Sequence, residues 1–208
     1  MSLDERWYRD VNTFARNTPW LHGVLSQYAL WGGLAILALM LAAAYVLARY
    51  RERAEQAVAI TLCTGVGVVV ALLINQHVIS PGVGRIRPCH AVPQAEALLS
   101  CNSDYSFPSD HCMMAGAFVA GLAFIGARWA IPAAVVAVLL AFTRVYSGVH
   151  YPSDVAGGLV IGAVIGVIVV LALRPLAYRL TAWMATNPLR VLVSAHPRQQ
   201  GRHAEAHV

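Results

Sequence analysis

Three short polar clusters stand out in an otherwise strongly apolar chain: Arg85-x-Arg87-Pro88, Pro108-Ser109-Asp110-His111 and Arg144-x5-His150-x3-Asp154. Their residue types are those that phosphoryl transfer needs. Guanidinium forks can hold phosphate oxygens and stay charged under all relevant conditions. A neutral imidazole attacks phosphorus when one ring nitrogen is free and the other is held as a donor, and a carboxylate four residues away can impose that tautomer. His150 is therefore the candidate nucleophile and Asp154 its orienting partner; the structural alternative is a helix-capping Asp154 beside an incidental surface histidine. His111 is placed to protonate a leaving oxygen.

Ser109 falls where an apolar helix should begin, with Pro108 closing the loop before it. Backbone N–H groups at a helix start favour an anion, which makes Ser109 a candidate phosphate ligand, and an ordinary N-cap there is compatible with that role. Asp110 would repel the same anion unless an arginine compensates it. Arg85, Arg87 and Arg144 supply positive charge, although a loop arginine can also face lipid headgroups. Asn75 and His77 read as helix-end polar groups, His90 and Glu96 as loop residues open to substrate or water, and Met113 and Met114 as core fillers. No spacing among the histidines, including His196, His203 and His207, argues for a metal, and no cofactor is expected.

The elements that must position these residues follow from composition. Of 208 residues, 58% are hydrophobic and 12% charged, with a mean hydropathy of +0.59, whereas soluble domains carry about a quarter charged residues. Apolar spans cover residues 28–46, 58–74, 112–127, 129–142 and 155–173. The third and fourth fall short of the roughly 20 residues that cross hydrocarbon, so they must borrow length from the flanking motifs, which places the motifs at or just inside the membrane surface. Ser2 and Glu5 have capping-box spacing. Leu3, Trp7, Val11 and Phe14 recur at helical spacing opposite Asp4, Glu5, Arg6, Arg9, Asp10 and Arg16, as in a helix lying on a membrane. The expected fold is all-α: a polytopic membrane helix bundle of about five transmembrane helices plus an N-terminal interfacial amphipathic helix. One membrane domain spans 1–187, with the interfacial helix in 1–24 and the bundle and motif loops in 25–187. The polar tail 188–208 is expected to be disordered and cytoplasmic.

The formal charge of +5 comes from 15 arginines, with no lysine in the chain. They lie beside spans or within motifs without an aromatic platform, which speaks against nucleic acid. Arg49, Arg51 and Arg53, then Arg128, then Arg174, Arg179, Arg190, Arg198 and Arg202 mark cytoplasmic ends, which puts loop 80–108 and segment 144–154 together on the opposite face. Asp4 and Glu5 occupy the place of a basic n-region, so no cleavable signal peptide is expected. Gly158, Gly162 and Gly166 permit close helix approach, either within the bundle or across a homodimer. Cys63 and Cys112 read as buried. Cys89 and Cys101 share one polar loop and can form a disulfide if it faces an oxidising compartment.

At these residues the chain resembles the type-2 phosphatidic acid phosphatase superfamily, whose pattern is K-x6-R-P, P-S-G-H and S-R-x5-H-x3-D. The resemblance implies that Arg87, Arg144 and Ser109 bind phosphate, that His111 is the acid–base residue, and that His150 is the nucleophile with Asp154 its partner. Three positions depart from the pattern: Ser80 stands at the lysine, Asp110 at the glycine and Thr143 at the serine. One phosphate contact is then either missing or supplied by Arg85, which as a substitute cation would also pair Asp110. The P-S-D-H and R-x-R-P forms are similar to bacterial undecaprenyl-diphosphate phosphatases. That likeness implies hydrolysis of an undecaprenyl or decaprenyl diphosphate through a phosphohistidine, at the outer face of the bacterial inner membrane, to recycle the cell-wall carrier lipid. The alternatives are a phosphatase of a lipid phosphomonoester, such as phosphatidylglycerol phosphate or phosphatidic acid, and a non-catalytic protein that binds or moves phospholipid. A binder has no use for His111, His150 and Asp154.

Overall fold

The computed structural model describes residues 1–195, and among them there is no strand. Helix α1 (Leu3–Arg16) starts at Ser2, whose hydroxyl accepts the Glu5 N–H at 3.1 Å. Glu5 itself turns to Arg9, 2.8 Å away, so only half of the capping box forms. The helical path α2 (Pro19–Ala48) follows, with a widened π turn at Tyr28–Gly32. Helix α3 (Ala54–Ile74) runs on through a second π turn, Asn75–Ile79, to Ser80–Val83, and stops at Gly84, whose φ of 66° is left-handed. Helices α4 (Asp110–Ile125), α5 (Ala127–Tyr146) and α6 (Pro152–Thr186) complete the bundle.

Four of these paths are long and apolar enough to cross a membrane. The fifth, α4, has 16 residues and so is about 24 Å long, less than the roughly 30 Å hydrocarbon layer. It can be short because protein surrounds it: α3, α5 and α6 pack along it, and Met113, Ala115, Ala117 and Leu122 are buried in the core between them. Connectivity then sets both ends. The end of α3, the start of α4, the end of α5 and the start of α6 meet at one face. The Arg49–Arg53 turn and Arg128 lie at the other.

The glycine stripe of α6 is spent on α4. A Cβ on Gly162 would stand 2.0 Å from the Met113 carbonyl oxygen, one on Gly158 2.9 Å from that of Ser109, and one on Gly166 2.9 Å from Ala117 Cα. The face expected to serve packing or a homodimer is thus covered inside the monomer and is not open to a second copy. These neighbours are backbone atoms that cannot rotate away, so Gly162→Ala should destabilise the bundle by about 1–3 kcal/mol. Gly82→Ala, where nothing lies within 4 Å, should not. Thermal melting in one detergent compares the two, and equal melting points would refute the close approach.

The tail departs from expectation. Residues 188–195 are ordered: Pro188–Leu192 forms a 3₁₀ turn, and Val193 is buried against Ala48 and Val58. The Tyr45 hydroxyl donates to the Leu192 carbonyl at 2.6 Å, and Arg49 donates to that of Val191. The physical reason is the apolar run Leu189, Val191, Leu192, Val193, which the neighbouring arginine and glutamine residues obscure. The remainder of the expected tail, 196–208, with His196, His203 and His207, lies outside the described residues.

Helix α1 does not simply float on a surface either. Its Tyr8, Asn12 and Ala15 are buried against the bundle, while Leu3, Trp7 and Phe14 stay about half exposed on the outside. It therefore has an apolar face for lipid and a second face docked over the motif end.

Candidate active site

His150 sits at the centre of the motif end, 1% exposed, in the turn between α5 and α6. Gly148 lets that turn form: its φ is 78°, and a Cβ there would meet the Glu96 carbonyl oxygen at 2.1 Å. The two ring nitrogens of His150 have different partners. Nδ1 lies 2.9 Å from the Ser106 carbonyl oxygen, whereas Nε2 is 3.2 Å from both Arg87 NH1 and Arg144 NH2. A carbonyl can only accept and a guanidinium can only donate. Both contacts therefore require the same tautomer, with the proton on Nδ1 and the lone pair on Nε2. Burial, with Arg144 and Arg87 alongside and Asp154 pulling the other way, lowers the imidazole to about 4, so it is neutral near pH 7.

Asp154 lies beside His150, and its hydrogen bonds reach the ring through Ser106. Its Oδ2 is 3.7 Å from Nδ1, beyond hydrogen-bond range. Instead Oδ2 accepts the Ser106 hydroxyl and, at 2.8 Å, the Tyr151 N–H. Asp154 thus caps α6 and also holds Ser106, whose carbonyl holds the imidazole. The capping and orienting readings are both true of it.

Arg87 is fixed by a residue that the motifs did not mark. Asp104 takes its Nε at 3.0 Å and its NH2 at 2.9 Å, a fork that leaves NH1 for the Val149 carbonyl and His150. Arg144, 7% exposed, donates to the Ala29 carbonyl at 3.4 Å and to His150, and its Nε is buried without a partner among the described residues. His111 occupies the first turn of α4, with Nε2 3.2 Å from the Leu30 carbonyl. Ala29 and Leu30 both belong to the π turn of α2, and such turns are frequent at functional sites. Ser109 is the N-cap of α4 by position but makes no side-chain cap bond, and its Oγ is buried without a hydrogen-bond partner among the described residues. An oxyanion between Arg87, Arg144 and Ser109, in front of the α4 N-terminus, would be in reach of the Nε2 lone pair.

One candidate phosphate ligand, Arg85, is elsewhere, and Asp110 is held differently than expected. Arg85 faces the carboxylates behind His150: NH1 binds Asp154 Oδ1 and Ser153 Oγ, each at 2.6 Å, and NH2 binds Asp4 Oδ2 at 2.5 Å. Buried Asp154 attracts this cation more strongly than a cavity that water can enter. Arg85 therefore replaces no lysine and pairs no Asp110. Asp110 accepts instead from amides, Asn75 Nδ2 at 2.7 Å and Gln76 Nε2 at 3.0 Å, and the arginine whose charge it feels is Arg144. With Ser80, Arg87, Asp104, Tyr105 and Gln76 it lines a cavity of about 330 Å³ that shares Arg87 with the site. Cys89 and Cys101 form a disulfide, Cα–Cα 6.3 Å, in the loop that carries Arg87 and Asp104.

Bundle and cluster together define a polytopic membrane protein with a buried histidine between two arginines, a set that can bind an oxyanion and attack it. The chain belongs to the PAP2 superfamily, which residues 58–177 match. It is 39% identical over 132 residues to decaprenylphosphoryl-5-phosphoribose phosphatase of Mycobacterium tuberculosis, covering 63% of this chain and 68% of that one. It is 34% identical over 107 residues to undecaprenyl-diphosphatase BcrC of Bacillus subtilis, covering 50% and 53%. A match to lipid A 1-phosphatase of Rhizobium johnstonii, 38% identical over 91 residues, covers 42% of this chain and spans only 37% of that protein. The fold matches the crystal structure of the PAP2-type phosphatidylglycerolphosphate phosphatase of Bacillus subtilis, with TM-score 0.61 and 23% identity over 84% of this chain and 88% of that one.

Proposed function

We propose that the protein is a lipid phosphatase that removes the terminal phosphate of a polyprenyl diphosphate through a phosphohistidine. The observation that carries the chemistry is the tautomer of His150, whose unprotonated Nε2 looks between two guanidinium groups. Nε2 attacks phosphorus as the bond from phosphorus to the lipid-side oxygen breaks, and His111, as an imidazolium whose Nε2–H stays on the Leu30 carbonyl, gives its Nδ1 proton to that oxygen and becomes neutral. Water then attacks the phosphohistidine, losing its proton to His111 and freeing inorganic phosphate and Nε2. Arg87, Arg144, Ser109 and the α4 N-terminus neutralise the developing charge, the work that a metal does in many phosphatases.

The motif forms and the relatives named for polyprenyl-linked phosphates support a polyprenyl lipid. A second reading, a lipid phosphomonoester, is favoured by the engagement of Arg85 with Asp154 and Asp4, which leaves Arg87 as the arginine lining the cavity. The arginine-rich ends opposite the site and the Cys89–Cys101 disulfide support a site on the extracytoplasmic side of a bacterial cell membrane. Residues 1–187 form the proposed catalytic unit, with 188–195 on the cytoplasmic side.

A side-by-side assay of purified protein on a long polyprenyl diphosphate, phosphatidylglycerol phosphate and phosphatidic acid tests the substrate. Preference for the diphosphate is expected, with the same rate in excess chelator. Preference for a monoester would select the second reading, release from none would leave a binder, and loss of activity in chelator restored by magnesium would overturn the site chemistry.

A further inference from the structure

Helix α1 lies outside residues 58–177, the stretch that matches the superfamily, yet it reaches into the site. Its Asp4 is separated from Ser153 by 149 residues in sequence, but Asp4 Oδ1 accepts the Ser153 N–H at 2.9 Å and Oδ2 accepts the Ser153 hydroxyl at 2.6 Å. The same Oδ2 takes Arg85 NH2 at 2.5 Å, while Arg85 NH1 holds Asp154 at 2.6 Å. Arg85 also lies over the Tyr151 ring, 4.0 Å from its centroid. One cation therefore bridges a carboxylate of α1 to the buried carboxylate behind the nucleophile. Two further contacts fasten the same helix to the same region. The Tyr8 hydroxyl donates to the Gly148 carbonyl at 3.1 Å, two residues before His150, and the Asn12 amide exchanges hydrogen bonds with the Glu96 backbone at 2.7 and 3.1 Å.

We infer that α1 is part of the catalytic apparatus and that Asp4 is a positioning residue, acting through Arg85 on Asp154 and so on the Ser106 carbonyl that holds His150. The chain of contacts is continuous: Asp4, Arg85, Asp154, Ser106, His150. Asp4 shares the charge of Arg85. Without it the whole guanidinium charge falls on Asp154, which then accepts the Ser106 hydroxyl less strongly and loosens the imidazole. Burial opposes the ionised form of Asp4, but the hydrogen bonds from Ser153 and Arg85 outweigh it and hold its carboxyl below the ordinary value, so it is charged near neutral pH. Because the outer face of α1 carries Leu3, Trp7 and Phe14, the same helix ties the nucleophile to the lipid surface.

This inference rests on the phosphatase reading, and the test separates the two. Asp4→Asn keeps the shape and an acceptor for the Ser153 N–H but cannot pair Arg85. It should lower kcat roughly tenfold, the scale of outer-shell losses, with KM nearly unchanged, because no group that grips phosphate has moved. Asp4→Glu should recover part of the loss. Arg85→Gln should lower kcat at least as much, and the double variant should be no worse than Arg85→Gln alone, since Asp4 then has nothing to act through. Unchanged kcat in Asp4→Asn, a loss confined to KM, or multiplying losses in the double variant would overturn the positioning role. Should Asp4→Asn fail to fold, Asp4→Glu against Arg85→Gln and their double variant decide by the same rule. A wild type inert towards every lipid phosphate would overturn the phosphatase reading, and this inference with it.

Discussion

Replacing His150 with alanine is expected to reduce phosphate release by on the order of 10⁴–10⁶-fold, the range seen when a nucleophile is removed. The expectation rests on the lone pair. Nε2 of His150 is within hydrogen-bond distance of both arginines, and its tautomer is set by a carbonyl on the far side. His111 does not share this setting, since its Nε2 meets the Leu30 carbonyl and must be the protonated nitrogen there. Folding has to be separated from chemistry, because His150 is buried and its loss removes the one acceptor that the two guanidinium groups share. His150→Gln restores an oxygen acceptor but no attacking nitrogen, so it should fold well and remain inactive. Monodisperse elution in detergent checks the first point and phosphate release the second. Near-normal release from His150→Gln, or phosphate trapped covalently on another residue, would remove His150 from the nucleophile's place.

The residues of this cluster were legible in the sequence because their chemistry is rare in an apolar chain. Arg87, Ser109, His111, Arg144 and His150 converge where hydropathy and arginine placement had put two loops on one face. What supports them was not legible. The Ser106 carbonyl and the Ala29 and Leu30 carbonyls are backbone groups that carry no residue identity. They become acceptors through a loop and a π turn that hydropathy does not register. Asp104 and Ser106 stand two residues apart just before Pro108, a spacing that could have marked them. Arg85 shows a different limit: spacing from Arg87 assigns it to the same anion, while the fold gives it buried Asp154. Asp4 shows why, since helical periodicity places it on a polar face and polar reads as solvent. A polar face can equally turn inward when a cation waits there.

The spans were found at their centres and missed at their ends. The last one reads as 155–173 because Arg174 and Pro175 lower the local hydropathy, yet the helix continues to Thr186. Thr181 is buried there and donates to the Glu55 carbonyl at 3.0 Å, so packing against α3 carries the helix past the apolar run. Similarly, α5 extends beyond residue 142 through Thr143 and Arg144, as its shortness required. Asp110 was expected to need an arginine, and the charge it feels is that of Arg144 rather than Arg85, while two side-chain amides each donate to a different carboxylate oxygen.

Arg87→Ala should lower kcat/KM by on the order of 10²–10³-fold, or about 2.7–4 kcal/mol, the loss typical of one preorganised oxyanion donor. Asp104 makes the expected effect specific. Its carboxylate occupies the Nε and NH2 edge of Arg87 and thereby aims NH1 at the space beside His150 Nε2. Removing the arginine takes away a phosphate donor and also strips Asp104 of its partner, leaving a free carboxylate in a cavity that already holds Asp110. Asp104→Ala in the Arg87→Ala background should therefore recover part of the loss, because the repulsion goes with the carboxylate. Arg87→Lys should recover little, since an ammonium cannot grip both oxygens of Asp104 and present a third donor to phosphate at once. Asp104→Asn alone should be milder and act mainly on KM, because one oxygen still accepts from Arg87 while the other position can no longer do so. Steady-state kinetics on these variants with one lipid substrate distinguish the possibilities. Strictly multiplying losses in the double variant, or near-wild-type turnover by Arg87→Lys, would show that Asp104 does not aim Arg87 and that the arginine acts as a bare charge.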